Sequence, residues 1–288
     1  MTNMHEQRQA WMESHLEWAA RTFGVQPVSS PVHTARLHSV GCRVCDTTGG
    51  DAWLRVVYAD PEWGQGNYLD GNLTANTINN VPKPQVAQWK EWDDNGRQIR
   101  GEISTYIPDT AISAGMTLPA GFAPSDQWLA ELTRALRALS AHPVPAGGLD
   151  ADSVNNGIRA FFGAELDIMA VPWTSAHCDL HWGNLTAPRL FLLDWETWGR
   201  APAGYDAATL LCATLNQPET AHRIREALAE FLDTPAGRVA TLTAAVRFLR
   251  FADDGDHTQL AIPVRRHGLA MLEQLGMSPT GAALGSEG

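Results

Sequence analysis

The run His177-Cys178-Asp179-Leu180-His181-Trp182-Gly183-Asn184, with Asp194 beyond it, places two carboxylates and an amide at intervals of five and then ten residues. Carboxylate and amide oxygens are hard donors suited to Mg2+, which prefers an octahedral shell completed by water and phosphate oxygens. Asn184 and Asp194 are therefore the candidate metal ligands. Asp179 is the candidate acceptor for the proton of an attacking hydroxyl. An alcohol is far too weak an acid for a carboxylate of pKa about 3.9 to ionise it beforehand. The proton moves late, as a phosphoryl group loosens from its leaving oxygen, and until then the carboxylate aims the nucleophile. Such a transfer asks the protein mainly for positioning and charge neutralisation. The segment "TAPRL" supplies the turn of a short hairpin that returns Asp194 to Asp179 and Asn184.

Something must hold these groups in place, and the chain changes character along its length. Residues 5–22 read as a helix, with Trp11, His15, Trp18 and Ala19 along one face. "HTARL", "CRVC" and "AWLRVVY" are strand-like, the last two joined by the turn "DTTGGD". A polar stretch over about 65–79 has weak helical character and ends at "VPKP", since proline disfavours helix on both sides. "QVAQWKEW" and "RGEISTYI" follow as strands around "DDNG". After Pro124 the chain is mainly helical. Ser125 is the expected N-cap of a helix whose stripe is Leu129, Leu132, Leu136 and Leu139. Amphipathic patterns recur near 220–232, 238–251 and 264–275. A β-rich N-terminal half thus precedes a helical half, with the polar loop region 172–206 inside the latter.

Composition narrows the function classes. Hydrophobic residues make up 44% and charged residues 18%, a globular balance. The net charge of −11 repels phosphate backbones and anionic lipid, which argues against nucleic-acid and membrane-surface partners. The N-terminal residues have no apolar core of a secretory signal, and no apolar run reaches the ~20 residues of a membrane span. A soluble cytoplasmic protein is expected, as monomer or homodimer. Cys42 and Cys45 form a CxxC, but an odd offset in a strand sends their side chains to opposite faces. All four cysteines are read as structural thiols.

The order His-x-Asp-Leu-x-x-x-Asn, then Asp before an aromatic residue, is the loop pattern of protein kinases. His177, Asp179, Leu180, Asn184, Asp194 and Trp195 fall on it. Over 175–212, "AHCDLHWGNL" and "LLDWETWGRAPAGYDAATLL" resemble the signature of the aminoglycoside phosphotransferase and choline kinase-like family. That signature runs His-Gly-Asp-Leu-His-x-Gly-Asn, Asp-Trp-Glu, then a Tyr-Asp pair opening a helix, here Tyr205 and Asp206. "NVPKPQV" and "WLAELTRALRALSAHPVP" resemble further family elements more faintly.

The resemblance implies an α+β, protein kinase-like fold of two lobes. Residues 1–106 would form the nucleotide-binding lobe, 107–276 the helical lobe with the catalytic loop and acceptor site, and 277–288 a loose tail. It also implies that Asp206 braces the helical lobe. The donor would be ATP or GTP with Mg2+, and the acceptor a hydroxyl of an antibiotic such as an aminoglycoside or nucleoside antibiotic. A resistance role follows from that.

Two positions depart from the family pattern. Cys178 stands where a glycine is usual, a modest change if that backbone avoids positive φ. Arg55 stands where a phosphate-anchoring lysine is usual, and its planar fork can grip the α and β phosphates. Asp70 is the expected acid that orients this cation, with Glu62 as the fallback. "ARLHSVG" is the candidate nucleotide-covering loop, and Ser104–Ile107, including Ser104 and Tyr106, the hinge offering backbone groups to a purine.

Other readings stand beside these. His181, Trp182 and Trp198 are candidate substrate contacts, as are Asp253 and Asp254 for a cationic acceptor; packing, or a solvated loop for the acidic pair, is the alternative for each. His177 is read as a brace. A kinase of a metabolic alcohol such as choline or homoserine, a dinuclear metallophosphoesterase and a non-catalytic nucleotide-binding protein are the rival functions. Only a kinase consumes nucleotide in proportion to an acceptor.

Overall fold

The structure, a computed structural model, describes residues 2–34, 37–46, 48–59 and 69–278. The described residues of Met1–Thr77 and Lys83–Pro108 form one compact unit, and those of Ile78–Pro82 and Asp109–Gly288 form a second. Candidate loop residues Ala35 and Arg36, the fallback acid Glu62 and the tail from 279 onward lie outside the described residues.

The first unit opens with α1 (Thr2–Phe23), then β1 (Gln26–Pro27), β2 (Val32–His33), β3 (Ser39–Cys45) and β4 (Asp51–Ala59). A short α2 (Gly71–Thr74) runs into a 3-10 turn (Ala75–Thr77), and β5 (Val86–Asp94) and β6 (Arg97–Thr105) close the unit. The weak helix expected over 65–79 is therefore confined to two short turns in its described part. The sheet is antiparallel in the order β1-β3-β4-β6-β5, with β2 also on β3. Asn95 and Gly96 turn β5 into β6 with φ of 54° and 80°, the positive pair that a two-residue hairpin favours.

Strand alternation divides the sheet into two faces. Val40, Cys42, Val44, Leu54, Val56, Tyr58, Ile99 and Ile103 bury one face under Met12, Leu16, Ala19 and Ala20 of α1. Each of the valine, leucine, isoleucine and methionine side chains among them contributes about 1.5–3 kcal/mol of transfer free energy. The helix stripe is rotated from the expected one: Trp11, His15 and Trp18 flank it and grip the β5–β6 hairpin. Trp11 Nε1 donates to Asp94 Oδ2 at 2.6 Å, and Trp92 Nε1 donates to His15 Nδ1 at 3.1 Å. Indole N–H groups and a carboxylate at the core's rim explain the shift, because a residue needing a polar partner cannot take the central position. Cys42 lies in the core and Cys45 on the other face, and all four cysteines are free thiols. Burial pushes the Cys42 thiol up and Cys212 to about 12, which keeps both unreactive at neutral pH.

The second unit is mainly helical: α3 (Asp126–Ser140), α4 (Ala151–Phe162), α5 (Tyr205–Cys212), α6 (Pro218–Ala227), α7 (Ala229–Leu232), α8 (Pro235–Asp253) and α9 (Ala261–Gln274). Short strands β7 (Thr110–Ala111), β8 (Trp173–Ala176), β9 (Thr186–Ala187) and β10 (Gly199–Pro202) lie among them. Ser125 caps α3, its hydroxyl accepting from Trp128 N at 3.2 Å. The sequence reading placed no helix at α4. Its signals are an Asp150 cap accepting from Ser153 N at 2.8 Å, the four-residue spacing of buried Val154, Ile158 and Phe162, and Gly163 at φ 65° as the stop. Helix α8 is buried around most of its surface, as a central helix must be. No helix among the described residues is long and apolar enough to cross a membrane.

Candidate active site

The loop from His177 to Asn184 starts where β8 ends, and β8 is fixed antiparallel to β10 from Gly199↔Ala176 to Pro202↔Trp173. At its base, buried Asp206 in the first turn of α5 accepts from His177 N at 2.7 Å and from Cys178 N at 3.0 Å. Burial raises the Asp206 carboxyl, while the two amide hydrogen bonds act in the opposite sense. His177 is fully buried and fixes the loop from within. Its Nδ1 faces Asp179 N at 3.3 Å and its Nε2 faces the Leu193 carbonyl at 2.8 Å. A carbonyl only accepts and an amide only donates, so His177 is neutral with its proton on Nε2. It braces the loop, as expected.

Leu193 is the tie between the two halves of the motif. Its carbonyl accepts from His177, and its N–H donates to the Asn184 carbonyl at 2.8 Å. Both sides of Leu193 are thereby fastened to the loop immediately before Asp194. The turn between them is set by Thr186, whose hydroxyl donates to the Arg189 carbonyl at 2.6 Å and accepts from Phe191 N at 2.9 Å. The spacing of ten residues between Asn184 and Asp194 is the length of this folded-back excursion.

Asn184 is buried in a 3-10 turn (Trp182–Asn184). Its Nδ2 donates to the Asp179 carbonyl at 2.9 Å and lies 3.5 Å from Asp179 Oδ2. Its side-chain oxygen is not used in either contact, which suits a hard cation. Asp194 is exposed, at φ 61°. A non-glycine residue held in the left-handed region costs about 1–3 kcal/mol and marks functional positions. Among the described residues, no group of three or more His, Cys, Asp and Glu gathers as a metal cage. Two oxygen donors from the protein fit Mg2+ that is completed by phosphates and water. They do not fit the richer ligand set of a dinuclear phosphoesterase.

Cys178 also has positive φ, 64°. The substitution for glycine is therefore strained, contrary to the expectation of a modest change. His181 Nδ1 accepts from Gly183 N at 3.1 Å and its Nε2 lies 3.7 Å from Asp179 Oδ1. Burial lowers its pKa more than neighbouring carboxylates raise it, so His181 is neutral at pH 7 and caps the 3-10 turn. A residue that sequence reasoning missed stands opposite: Arg247 of α8 forms an ion pair with Asp179 Oδ1 and donates from Nη1 to the Cys178 carbonyl at 2.9 Å.

Among the substrate candidates, Trp182 is fully buried. Its indole N–H donates to Thr214 Oγ1 at 2.9 Å and its ring stacks on Trp128 at 5.9 Å. It is a core residue and cannot meet an acceptor, a correction to the sequence reading. Trp198 is half-buried, edge-on to His142 at 5.8 Å. Asp253 and Asp254 are exposed at the end of α8. Asp254 lies seven residues beyond Arg247 on the same stripe, about 10 Å along the axis.

In the first unit, Arg55 of β4 lies on the sheet face opposite the core, directly across from Glu102 of β6. Its Nη1 is 3.5 Å from Glu102 Oε2, which also accepts from Asn72 Nδ2 at 3.2 Å. Among the described residues the acid beside Arg55 is thus Glu102 and not Asp70. Asp70 instead pairs with Arg100, which also binds Glu91 and the Leu69 carbonyl. Glu102 could have been found from strand register, since β4 and β6 pair residue for residue around Arg55. Ser104 is in β6 opposite Trp53, and Tyr106 follows the strand with the Arg43 guanidinium 5.0 Å over its ring.

No protein-family model matches the sequence, and no curated protein does. Solved structures match it over nearly the whole length. Aminoglycoside phosphotransferase APH(4)-Ia, as a thermostable mutant in a ternary complex with AMP-PNP and hygromycin B, aligns with a TM-score of 0.60 at 15% identity, covering 90% of this chain and 98% of that one. Amicoumacin kinase hAmiN, in complex with AMP-PNP, Ca2+ and Ami, aligns with a TM-score of 0.62 at 11% identity, covering 95% and 96%. This chain has the fold of these antibiotic kinases. The macrolide 2'-phosphotransferase MphH of Brachybacterium faecium shares it too, with a TM-score of 0.54 at 16% identity over 88% and 98%. The kinase-like fold expected from the loop motif is thus the observed one.

Proposed function

We propose that this kinase-like chain transfers the γ-phosphoryl group of ATP or GTP to a hydroxyl of a small molecule, most specifically an antibiotic. The observation that carries the proposal is the fastening of Leu193 to both His177 and Asn184, which ties the Asp194 segment to the loop bearing Asp179. The three solved structures cited above, all antibiotic phosphotransferases, two holding AMP-PNP with an antibiotic, support the same class.

In this reading Asp179 receives the acceptor's proton late in an in-line displacement, after aiming the hydroxyl. Asn184 and Asp194 would hold Mg2+, which supplies charge neutralisation at the triphosphate. Arg55, steadied by Glu102, grips the α and β phosphates through its planar fork. The backbone from Ser104 to Tyr106 offers groups to the purine. Asp254, and beside it Asp253, would draw a cationic acceptor, and Trp198 offers an aromatic surface near β10.

Arg55→Ala is expected to weaken Mg·ATP binding by roughly tenfold or more, since hydrogen bonds to a charged group contribute about 1.5–3 kcal/mol. Isothermal titration would read this, and wild-type affinity would remove Arg55 from the site.

The function itself is tested by incubating the protein with Mg2+ and ATP or GTP against aminoglycosides, macrolides, nucleoside antibiotics, choline and homoserine. Phosphate transfer is followed by 31P NMR. Consumption of nucleotide that follows the acceptor is expected. Phosphate-ester hydrolysis with no acceptor would point to a phosphoesterase, and nucleotide binding without turnover to a binding protein.

A further inference from the structure

Arg247 lies within α8, among residues that mostly pack as core, yet its guanidinium reaches three groups around the loop. Nη1 donates to the Cys178 carbonyl at 2.9 Å, Nη2 meets Asp179 Oδ1, and the Tyr205 side chain is a third hydrogen-bonding partner. The side chains of Arg247 and Asp179 are each about a quarter exposed, 24% and 23%, so the pair is open on one side. Phe251, one turn further along α8, lies under the guanidinium at 5.6 Å from its ring centroid. Burial opposes the charge on Arg247, but Tyr205 and Asp179 more than offset it, and the net direction is upward.

We propose that Arg247 is a positioning residue for phosphoryl transfer, holding Asp179 by Oδ1 so that Oδ2 faces the acceptor hydroxyl. The inference rests on the kinase reading given above. Three features of the geometry carry it. The fork binds a backbone carbonyl and the carboxylate of consecutive residues, so it fixes the side chain relative to its own main chain. Asn184 Nδ2 stands 3.5 Å from Oδ2, and this loose contact leaves room for a hydroxyl proton. The Tyr205 side chain, a further hydrogen-bonding partner of the guanidinium, holds the clamp itself in place.

Tyr205 and Asp206 serve the loop from two sides in this arrangement. Asp206 holds the main chain at His177 and Cys178, and Tyr205 steadies the cation that holds Asp179. No spacing rule in the sequence links Arg247 to the loop 68 residues earlier.

The test compares the wild type with Arg247→Ala, Asp179→Asn and the double variant. Turnover with Mg·ATP is measured against the same acceptor panel, and Mg·ATP affinity by titration. Arg247→Ala is expected to lower turnover on the order of 10²-fold, the cost of about 1 Å of misplacement. Its nucleotide affinity should stay near wild type, while the melting temperature falls by about 2–4 °C per kcal/mol of lost hydrogen bonding. Added guanidinium ion should restore turnover to Arg247→Ala, a recovery that a lost packing contact would not give. The double variant should be no slower than Asp179→Asn, because groups that act as a unit are not additive. Wild-type turnover in Arg247→Ala, additive losses in the double variant, or no response to guanidinium would each overturn the assignment. A wild-type protein that binds Mg·ATP but transfers no phosphate to any acceptor would instead overturn the kinase reading and this inference with it.

Discussion

Asp179→Asn is expected to lower phosphoryl transfer by ~10²–10⁴-fold, the range for loss of a positioned proton acceptor, with nucleotide affinity close to wild type. The amide keeps the size and most of the contacts of the carboxylate, so the loop should stay folded. Arg247 would lose its charged partner but keep the Cys178 carbonyl, and Asn184 Nδ2 would keep its bond to the residue 179 carbonyl. What disappears is the capacity to take a proton and to orient the hydroxyl through an anionic oxygen. Initial rates with saturating nucleotide and acceptor give the direct measurement, paired with titration of Mg·ATP. A variant within threefold of wild type would remove Asp179 from the chemistry.

The second large effect concerns stability. Asp206→Ala is expected to cost about 3 kcal/mol, since two buried N–H groups, those of His177 and Cys178, lose their acceptors at about 1–3 kcal/mol each. Relief of the buried carboxylate offsets part of this. At about 2–4 °C per kcal/mol for a chain of this size, the melting temperature should fall by roughly 6–12 °C. The pH dependence has a definite sign. Burial raises the Asp206 carboxyl, so ionising it costs the folded state as pH rises through that raised value. The wild type should therefore lose this contribution on going from acid toward neutral pH, and Asp206→Ala should not. Melting curves of both proteins between pH 4 and 7 check the magnitude and the slope together. Equal melting temperatures would show that His177 and Cys178 have other acceptors.

The loop from His177 to Asn184 was readable as a candidate site because its signals are local. Asp179, Asn184 and Asp194 lie within sixteen consecutive residues, and a hairpin is the simplest path that brings them together. Ser125 and the leucines of α3 were readable for the same reason, since a cap and a stripe are short-range signals. Glu102 was missed because the expectation looked for an acid on a helix, whereas the partner is set by the register of β4 on β6. Asp70 was drawn away by Arg100, a cation that the sequence offers no reason to place nearby. Trp182 looked available because it follows His181 in a polar loop. The 3-10 turn sends it inward to Thr214, and the loop's polarity says nothing about that direction. Arg247 was hidden by its setting, because it is one of three arginines, with Arg238 and Arg250, in a helix of otherwise mostly small and apolar residues, and such arginines read as an exposed face. Cys178 shows how a conditional expectation resolves: the loop keeps the glycine-like backbone although the side chain has changed.

In protein kinases the phosphate-binding cation is switched by a helix, because its acidic partner rides on an element that can swing away. Here Arg55 and Glu102 are neighbours across two strands joined by main-chain hydrogen bonds. The register of the sheet fixes the backbone spacing of this pair, and α2 adds to it through Asn72 Nδ2, which donates to Glu102 at 3.2 Å. Within the proposed kinase reading, the pair is assembled as soon as the sheet forms, and turnover is expected to begin without a lag.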